Sequence, residues 1–371
     1  MTSECRLDQL LGRAPERMLI FRALVLGDML CMIPAARALR RAYPAAQITL
    51  VSLPWAAEFA ARFNAYFDDF LEFPGFPGLP ERPFDARQFP QFLTEIQRRE
   101  YDVAFQLHGS GSFVNPLTAM FNARIAAGFY VPSEYCPNSE TFVPYPDDLP
   151  EVHRHLRVIE HLGIASCGDH LELPLMTSDH HELRRLPELR DVLQRRYVCL
   201  HPGARYLSRR WMLERYARVG DALASEGYSV VITGAGSEAE LASAVSQNMT
   251  APHVNLARRT SLGGLGALLS GAQLLISNDT GVSHVAAALR VPSIVIVTGS
   301  DPRRWAPLDR ARHRLVMSPA DCRPCEHRVC PIDFHCAERV TVEQVLAVAM
   351  ESLAGSERQS RRSVEANTCG V

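Results

Sequence analysis

The chain contains no lysine: all 39 of its basic residues are arginine. That absence excludes whole chemistries. A phosphate-binding loop ending in Gly-Lys-Ser/Thr cannot be built, nor can a protein-kinase site with its strand lysine. A Schiff-base enzyme, including one holding pyridoxal phosphate, would lack its amine nucleophile. Arginine cannot stand in, because its guanidinium stays protonated at any working pH. A GC-rich genome is the ordinary cause of such a bias, and the exclusions hold whatever the cause. A large excess of one charge is also missing. The net charge is −2, with −4 in residues 1–150 and +2 in the remainder. Neither part has the basic surplus of a general nucleic-acid binder, so no nucleic acid is expected as partner. No uninterrupted apolar run is long enough to span a bilayer, so no transmembrane segment is expected. Residues 1–16 read as a polar leader, with acids among its bases and no apolar core, unlike a secretory signal. These features predict a cytoplasmic chain that touches at most the inner face of the cytoplasmic membrane. Ten cysteines in a reducing compartment argue against a disulfide framework.

What is present describes a globular protein. At 47% hydrophobic and 22% charged, the chain can bury a large core. Its length suggests two domains. The hydrophobic pattern supplies a strand–loop–helix rhythm twice over. In the first half, strands are expected at Met18–Ala23, Ile48–Leu53, Asp102–Leu107 and Arg124–Phe129. Helices are expected at Asp28–Ala42, Trp55–Phe63, Phe92–Arg99, Pro116–Asn122 and His153–Leu162. In the second half, strands are expected at Tyr197–Leu200, Ser229–Thr233, Val254–Leu256, Leu274–Ser277 and Ser293–Val297, with helices between them. The first domain is placed at 17–175 and the second at 176–340. A helix follows at 341–354, and a Ser- and Arg-rich tail at 355–371 is expected to be disordered. Alternation in both halves implies an α/β fold with two doubly wound parallel sheets and ligands at the carboxyl ends of their strands. Residues 73–90, opening with FPGFPGLPERPF, are too rich in Pro and Gly for either element. They read as an ordered loop, either a lid over a ligand or a packed surface loop.

Five motifs could carry chemistry. Leu26-Gly27-Asp28 ends the first strand, where a glycine permits close backbone approach and an aspartate can face a ligand. Asp28 equally reads as the N-cap of the following helix. Asn278-Asp279-Thr280-Gly281, followed by His284, turns a strand straight into a helix. The free N–H groups at that helix start form a ready anion site, and a plainly capped helix is the alternative. His201-Pro-Gly-Ala204, leading to Ser208-Arg209-Arg210-Trp211, sets two guanidinium groups beside a strand end. That arrangement suits a diphosphate, or is a solvated loop anchored by a tryptophan. Thr233-Gly-Ala-Gly236 with Glu238 resembles a fragment of a dinucleotide fingerprint, and is weak evidence by itself. Cys322, Cys325, Cys330 and Cys336 stand in one loop (322–336) with His327 and His335. Four thiolates could hold a structural zinc or iron, or be inert free cysteines.

The order of these pieces resembles glycosyltransferase family 9, which includes the ADP-heptose:lipopolysaccharide heptosyltransferases. The resemblance is carried by the run from Ile20 to Asp28, by Ile33–Arg40, and by the HPGA, RRW, NDTGVSH and DPRRW (Asp301–Trp305) motifs. The cysteine loop resembles the end of many members. The likeness implies a GT-B fold: two Rossmann-like doubly wound domains facing a cleft, the first for the acceptor and the second for the nucleotide sugar. It implies an inverting, metal-independent transfer with no catalytic cofactor. It puts Asp28 in the role of general base, with Arg22, Gly27 and His108 on the acceptor side. Asp279, Thr280 and Gly281 fall on the donor-diphosphate loop, His284 beside it, and Glu238 near the nucleoside. Arg209 stands where the family usually carries a lysine.

Two departures bear on the acceptor. Leu24-Val25 replaces the small or polar residues that usually precede Leu-Gly-Asp, and the 73–90 loop is long. The reading is therefore a transferase moving a sugar, heptose by resemblance, from a nucleotide-diphosphate donor (ADP-heptose) to a lipopolysaccharide-core or related surface glycan. That acceptor would be a glycan or lipid-linked glycan at the inner membrane surface. Two alternatives stand beside it. One is a heptosyltransferase for a protein acceptor such as an autotransporter. The other is a nucleotide-sugar-binding protein without catalysis.

Overall fold

The computed structural model describes residues 5–368, and those beyond residue 355 by the backbone alone. The chain divides into two compact units, with the boundary between Pro174 and Leu175.

The first unit runs α1 (Arg6–Leu11), β1 (Arg17–Phe21), α2 (Leu26–Ala42), β2 (Gln47–Ser52), α3 (Ala56–Arg62) and β3 (Asp69–Glu72). It continues with α4 (Phe89–Arg98), β4 (Val103–Gln106), α5 (Val114–Met120), β5 (Ile125–Tyr130), β6 (Phe142–Pro144) and α6 (Glu151–His161). Its six strands are all parallel, in the order β3-β2-β1-β4-β5-β6. Strands covered on both faces read as largely apolar runs, so β4 (VAFQ) is buried along its whole length and β1 (RMLIF) after Arg17. The order reverses between β1 and β4. The loops leaving their carboxyl ends therefore diverge at the switch point where open α/β sheets hold ligands. Gly27-Asp28 follows β1 and His108 follows β4.

The long 73–90 loop is packed. Phe73 and Leu79 are buried, and Phe73 meets Phe21 edge-on at 5.0 Å within a cluster that includes Phe92 and Phe121. Gly75 adopts φ 90°, and a Cβ there would lie 2.6 Å from the Pro83 carbonyl oxygen, so only glycine fits. Part of the expected leader is docked too: Leu7 is buried and its N–H donates to Leu162 O at 3.0 Å.

The second unit runs α7 (Thr177–Arg184), β7 (Tyr197–His201), α8 (Leu213–Ser225), β8 (Ser229–Ile232), α9 (Ala239–Asn248), β9 (His253–Asn255) and α10 (Leu262–Gly271). It continues with β10 (Leu274–Asn278), α11 (Gly281–Ala288), β11 (Ser293–Ile296), α12 (Pro302–Trp305), β12 (His313–Val316), α13 (His335–Glu338) and α14 (Val342–Thr368). Its parallel sheet, β12-β11-β10-β7-β8-β9, repeats the first topology. The switch point lies between β7 and β10, so the HPGA and NDTG motifs leave adjacent strand ends. Trp211, Tyr216, Val198 and Leu200 share one core with Val345 and Leu353 of α14. α14 runs on through residues 355–368, where composition predicts disorder: that stretch has no proline to stop a helix. Residues 1–4 of the leader and 369–371 of the tail lie outside the described residues. No helix among the described residues is long and apolar enough to cross a membrane.

Candidate functional site

In the first unit the site is organised by a buried charge. Arg22 follows β1 and is wholly inaccessible to solvent. Its Nε donates to the Asp28 carbonyl at 2.9 Å and its Nη1 to the Leu107 carbonyl. Its Nη2 donates to Glu151 Oε1 at 2.9 Å and lies 3.4 Å from Asp28 Oδ1. Arg22 thus spends its donors inside its own unit and has no surface to offer an acceptor. Helix α2 starts two residues earlier than the pattern predicts. Extended Val25 (φ −87°, ψ 172°) is its N-cap, and Asp28 sits inside the first turn rather than capping it. A carboxylate there is favoured by the helix dipole. The Asp28 side chain keeps 17% of its surface exposed. Gly27 is buried.

His108 is buried and stacks on Phe21, with ring centroids 5.3 Å apart. Its Nδ1 accepts the Ala23 N–H at 3.1 Å. The neutral ring therefore carries its proton on Nε2, which faces Glu81 Oε2 at 3.7 Å. Glu81 comes from the 73–90 loop, so that loop adds a carboxylate to the strand ends that bear Asp28.

In the second unit Asn278 is the clamp. Its Oδ1 accepts the Trp211 N–H at 2.9 Å, and its Nδ2 donates to Pro202 O at 2.8 Å and Gly203 O at 3.3 Å. The NDTG run, the HPGA turn and the RRW segment are thereby locked together. Thr280 is the extended N-cap of α11 (φ −151°, ψ 175°), but its side chain makes no capping bond. The first N–H groups, those of Gly281 and Val282, have no intrahelical partner by the geometry of a helix start. His284, one turn in, is buried, its ring 6.5 Å from that of Trp305. Arg209 lies over the Tyr206 ring, 5.3 Å from its centroid, and its Nε is buried without a hydrogen-bond partner among the described residues. Asp279 Oδ2 is likewise buried and unmatched. Burial presses the Arg310 guanidinium below its ordinary value, and the nearby Asp279 carboxylate opposes the shift.

Glu238 is held by its own unit. It accepts the Ala235 N–H at 2.8 Å and lies 3.2 Å from His201 Nε2, while His201 Nδ1 meets Thr233 Oγ1 at 3.0 Å. Burial pushes the Glu238 carboxyl up. The bond and charge of His201, the Ala235 N–H and nearby Arg210 outweigh it and hold the group below its usual value. The carboxylate fills the space over Gly203, where a Cβ would lie 2.2 Å away. A Cβ at Gly203 would push the Glu238 carboxylate from this position.

For the cysteine loop the sequence left open a structural metal or inert free cysteines. Among the described residues, no three His, Cys, Asp or Glu side chains gather into a set that could hold a metal. Cys322 is exposed, and Cys325, Cys330 and Cys336 are half-buried. The Cys330 sulfur accepts the Phe334 N–H at 3.2 Å. Burial pushes the Cys336 thiol up, Arg323 pulls it down, and Cys322 and Cys330 add to the rise. The loop instead braces the site. Cys325 N–H donates to Gly299 O at 2.7 Å, Ser208 Oγ to His327 O at 2.5 Å, and Arg323 Nε to Thr298 O at 2.7 Å.

Glu81, Glu151 and Arg310 escaped the sequence reading, as did the clamping role of Asn278. Asn278 was signalled by its place in the NDTG run. Glu151 meets Arg22 across 129 residues of chain, and nothing local announces it.

Residues 91–335 match the model of glycosyltransferase family 9 (heptosyltransferase). Lipopolysaccharide heptosyltransferase 3 of Escherichia coli is 26% identical over 295 residues, covering 76% of this chain and 83% of that protein. Among solved structures, the glycosyl transferase family 9 protein from Veillonella parvula superposes with a TM-score of 0.75 at 19% identity, covering 92% of this chain and 97% of the other. The E. coli ADP-heptose lps heptosyltransferase II superposes with a TM-score of 0.71 at 20% identity, covering 92% and 99%.

Proposed function

Because the chain belongs to glycosyltransferase family 9, we propose that it is an inverting, metal-independent enzyme moving heptose from ADP-heptose to a lipopolysaccharide-core or related surface glycan. The observation that carries this reading is Asp28. It is a partly exposed carboxylate in the first turn of α2, at the switch point of its sheet, steadied by a wholly buried arginine. A group so placed suits a general base.

The step balances without a metal. Asp28 takes the proton of an acceptor hydroxyl as its oxygen attacks the anomeric carbon from the face opposite the leaving group. The bond from that carbon to the diphosphate oxygen breaks, and the electron pair leaves with the nucleoside diphosphate. The N-terminus of α11 at Gly281 and the guanidinium of Arg209 take up the charge on the departing diphosphate. Arginine suits this role in place of lysine, since its fork can grip two phosphate oxygens. Asp279, Thr280 and His284 shape the anion site, and Glu238 with His201 faces the nucleoside. His108, with Gly27, borders the acceptor, while Arg22 acts on Asp28 from within. The acceptor is met in the cytoplasm, as a lipid-linked glycan at the inner membrane surface.

The test is a donor and acceptor panel with the purified chain. ADP-heptose and a heptose-deficient core glycan should give product of inverted anomeric configuration, undiminished by a chelator. Turnover with other nucleotide sugars but not with ADP-heptose would overturn the donor. A second reading, a protein acceptor, is the alternative left open by the sequence. Heptosylation of an autotransporter passenger, with no transfer to core glycan, would establish that reading instead.

A further inference from the structure

We propose that Glu151 is a positioning residue for the base: it serves as the main counter-ion of Arg22, and so keeps Asp28 able to accept a proton. This rests on Asp28 being the base.

The argument starts from the burial of Arg22. A guanidinium with no solvent access needs compensating charge. Two carboxylates reach the same Nη2. Glu151 does so at 2.9 Å with its side chain 4% exposed, and Asp28 at 3.4 Å with 17% exposed. The shorter, drier pairing is the stronger. Arg22 is therefore neutralised chiefly from α6. Were Asp28 its sole counter-ion, the carboxylate would be clamped as an anion and would be a feeble proton acceptor. At the same time the Arg22 Nε bond to the Asp28 carbonyl fixes the first turn of α2. One arginine thus orients the base while a second carboxylate absorbs its charge.

Of the groups around Glu151, Arg22, Arg154 and His155 when protonated favour its ionised form, and the neighbouring Asp28 carboxylate opposes it. On α6 itself, Arg154 Nε lies 3.9 Å from its Oε2 and His155 Nε2 lies 3.4 Å from its Oε1. Arg22 approaches from the loop after β1 and Asp28 from α2. His108 and Glu81 pair with each other at 3.7 Å on the loops that border the base. Glu151 is buried at the start of α6, where the helix dipole also favours a carboxylate.

The test is Glu151→Gln, which keeps the shape and an oxygen for the Arg22 bond while removing the charge. Arg22 then leans on Asp28 alone. The acid limb of kcat/KM against pH should move down by about 1 pH unit. kcat should fall ~3-fold, because the base is weaker, with the donor KM unchanged. Glu151→Asp, which keeps the charge at longer reach, should move the limb the same way by less than half, and carries the test if the glutamine variant folds poorly. A loss of activity at every pH with the limb unmoved in both variants would make Glu151 a packing residue and overturn the inference. A limb that moves up would overturn it too. Failure of the base assignment is separately visible, because Asp28→Asn would then retain turnover.

Discussion

Replacing Asn278 should unlatch the second unit's strand ends, and the size of the effect follows from three contacts. The side chain is wholly buried. It accepts the Trp211 N–H at 2.9 Å and donates to Pro202 O at 2.8 Å and Gly203 O at 3.3 Å. Asn278→Ala removes all three bonds and leaves their partners buried. At about 1 kcal/mol per bond, with a further cost for the orphaned groups, the loss is about 3–4 kcal/mol. For a domain of this size that lowers the melting transition by roughly 10 °C. Asn278→Asp adds a sign. It keeps the shape but puts an oxygen against the Pro202 and Gly203 carbonyls. The ionised form is repelled and the protonated form can donate, so folding raises the new carboxyl above its unfolded value. The folded chain then binds more protons than the unfolded one, and stability falls as pH rises from about 4 towards 7. Thermal melts at pH 5 and pH 7.5 read both effects. The alanine variant should show a similar deficit at each pH, and the aspartate variant a larger deficit at pH 7.5. An alanine deficit below about 1 kcal/mol, or an aspartate deficit independent of pH, would refute the clamp.

Two further outcomes are expected. Arg209→Ala should weaken nucleoside diphosphate binding about 10-fold by calorimetry, far more than Asp28→Asn does, because in the proposed mechanism the guanidinium serves the leaving group and the carboxylate serves the acceptor. Equal affinities in the two variants would contradict that division. His313 on β12 meets Ser293 Oγ at 2.8 Å, and burial pushes its ring down to about 4, with Asp309 opposing. The unfolded ring gains a proton near pH 6.5 and the folded ring does not. Its contribution is therefore whole above pH 6.5 and is lost as pH falls towards 4. His313→Gln should flatten the fall in melting temperature across that window, and parallel curves would contradict the assignment.

The sheets were legible in the sequence wherever burial on both faces forced an apolar run, as in β1, β4, β10 and β11. The edge strands β3 (DFLE) and β12 (HRLV) were not, because an edge tolerates charge and erases the pattern. The start of α2 was missed because its cap is Val25, a residue without capping chemistry. The positions of the LGD, HPGA and NDTG motifs were legible because each follows a strand's carboxyl end. What supports them was not. Glu151 reaches Arg22, and Glu81 reaches His108, only through tertiary packing. Cys322–Cys336 shows the converse. Its spacing left a metal and inert cysteines equally open, while the folded loop uses bonds to its backbone to brace Ser208 and Gly299.

The central claim is that Asp28 is the proton acceptor and not part of the donor site. Asp28→Asn tests it, with turnover and donor affinity measured on the same preparation. The amide keeps the shape and cannot take a proton. The account predicts a loss in kcat of about 10³-fold, with the calorimetric Kd for the nucleotide donor within about 2-fold of the unsubstituted chain. Transfer near the original rate, or a loss of donor binding that matches the loss of turnover, would contradict it.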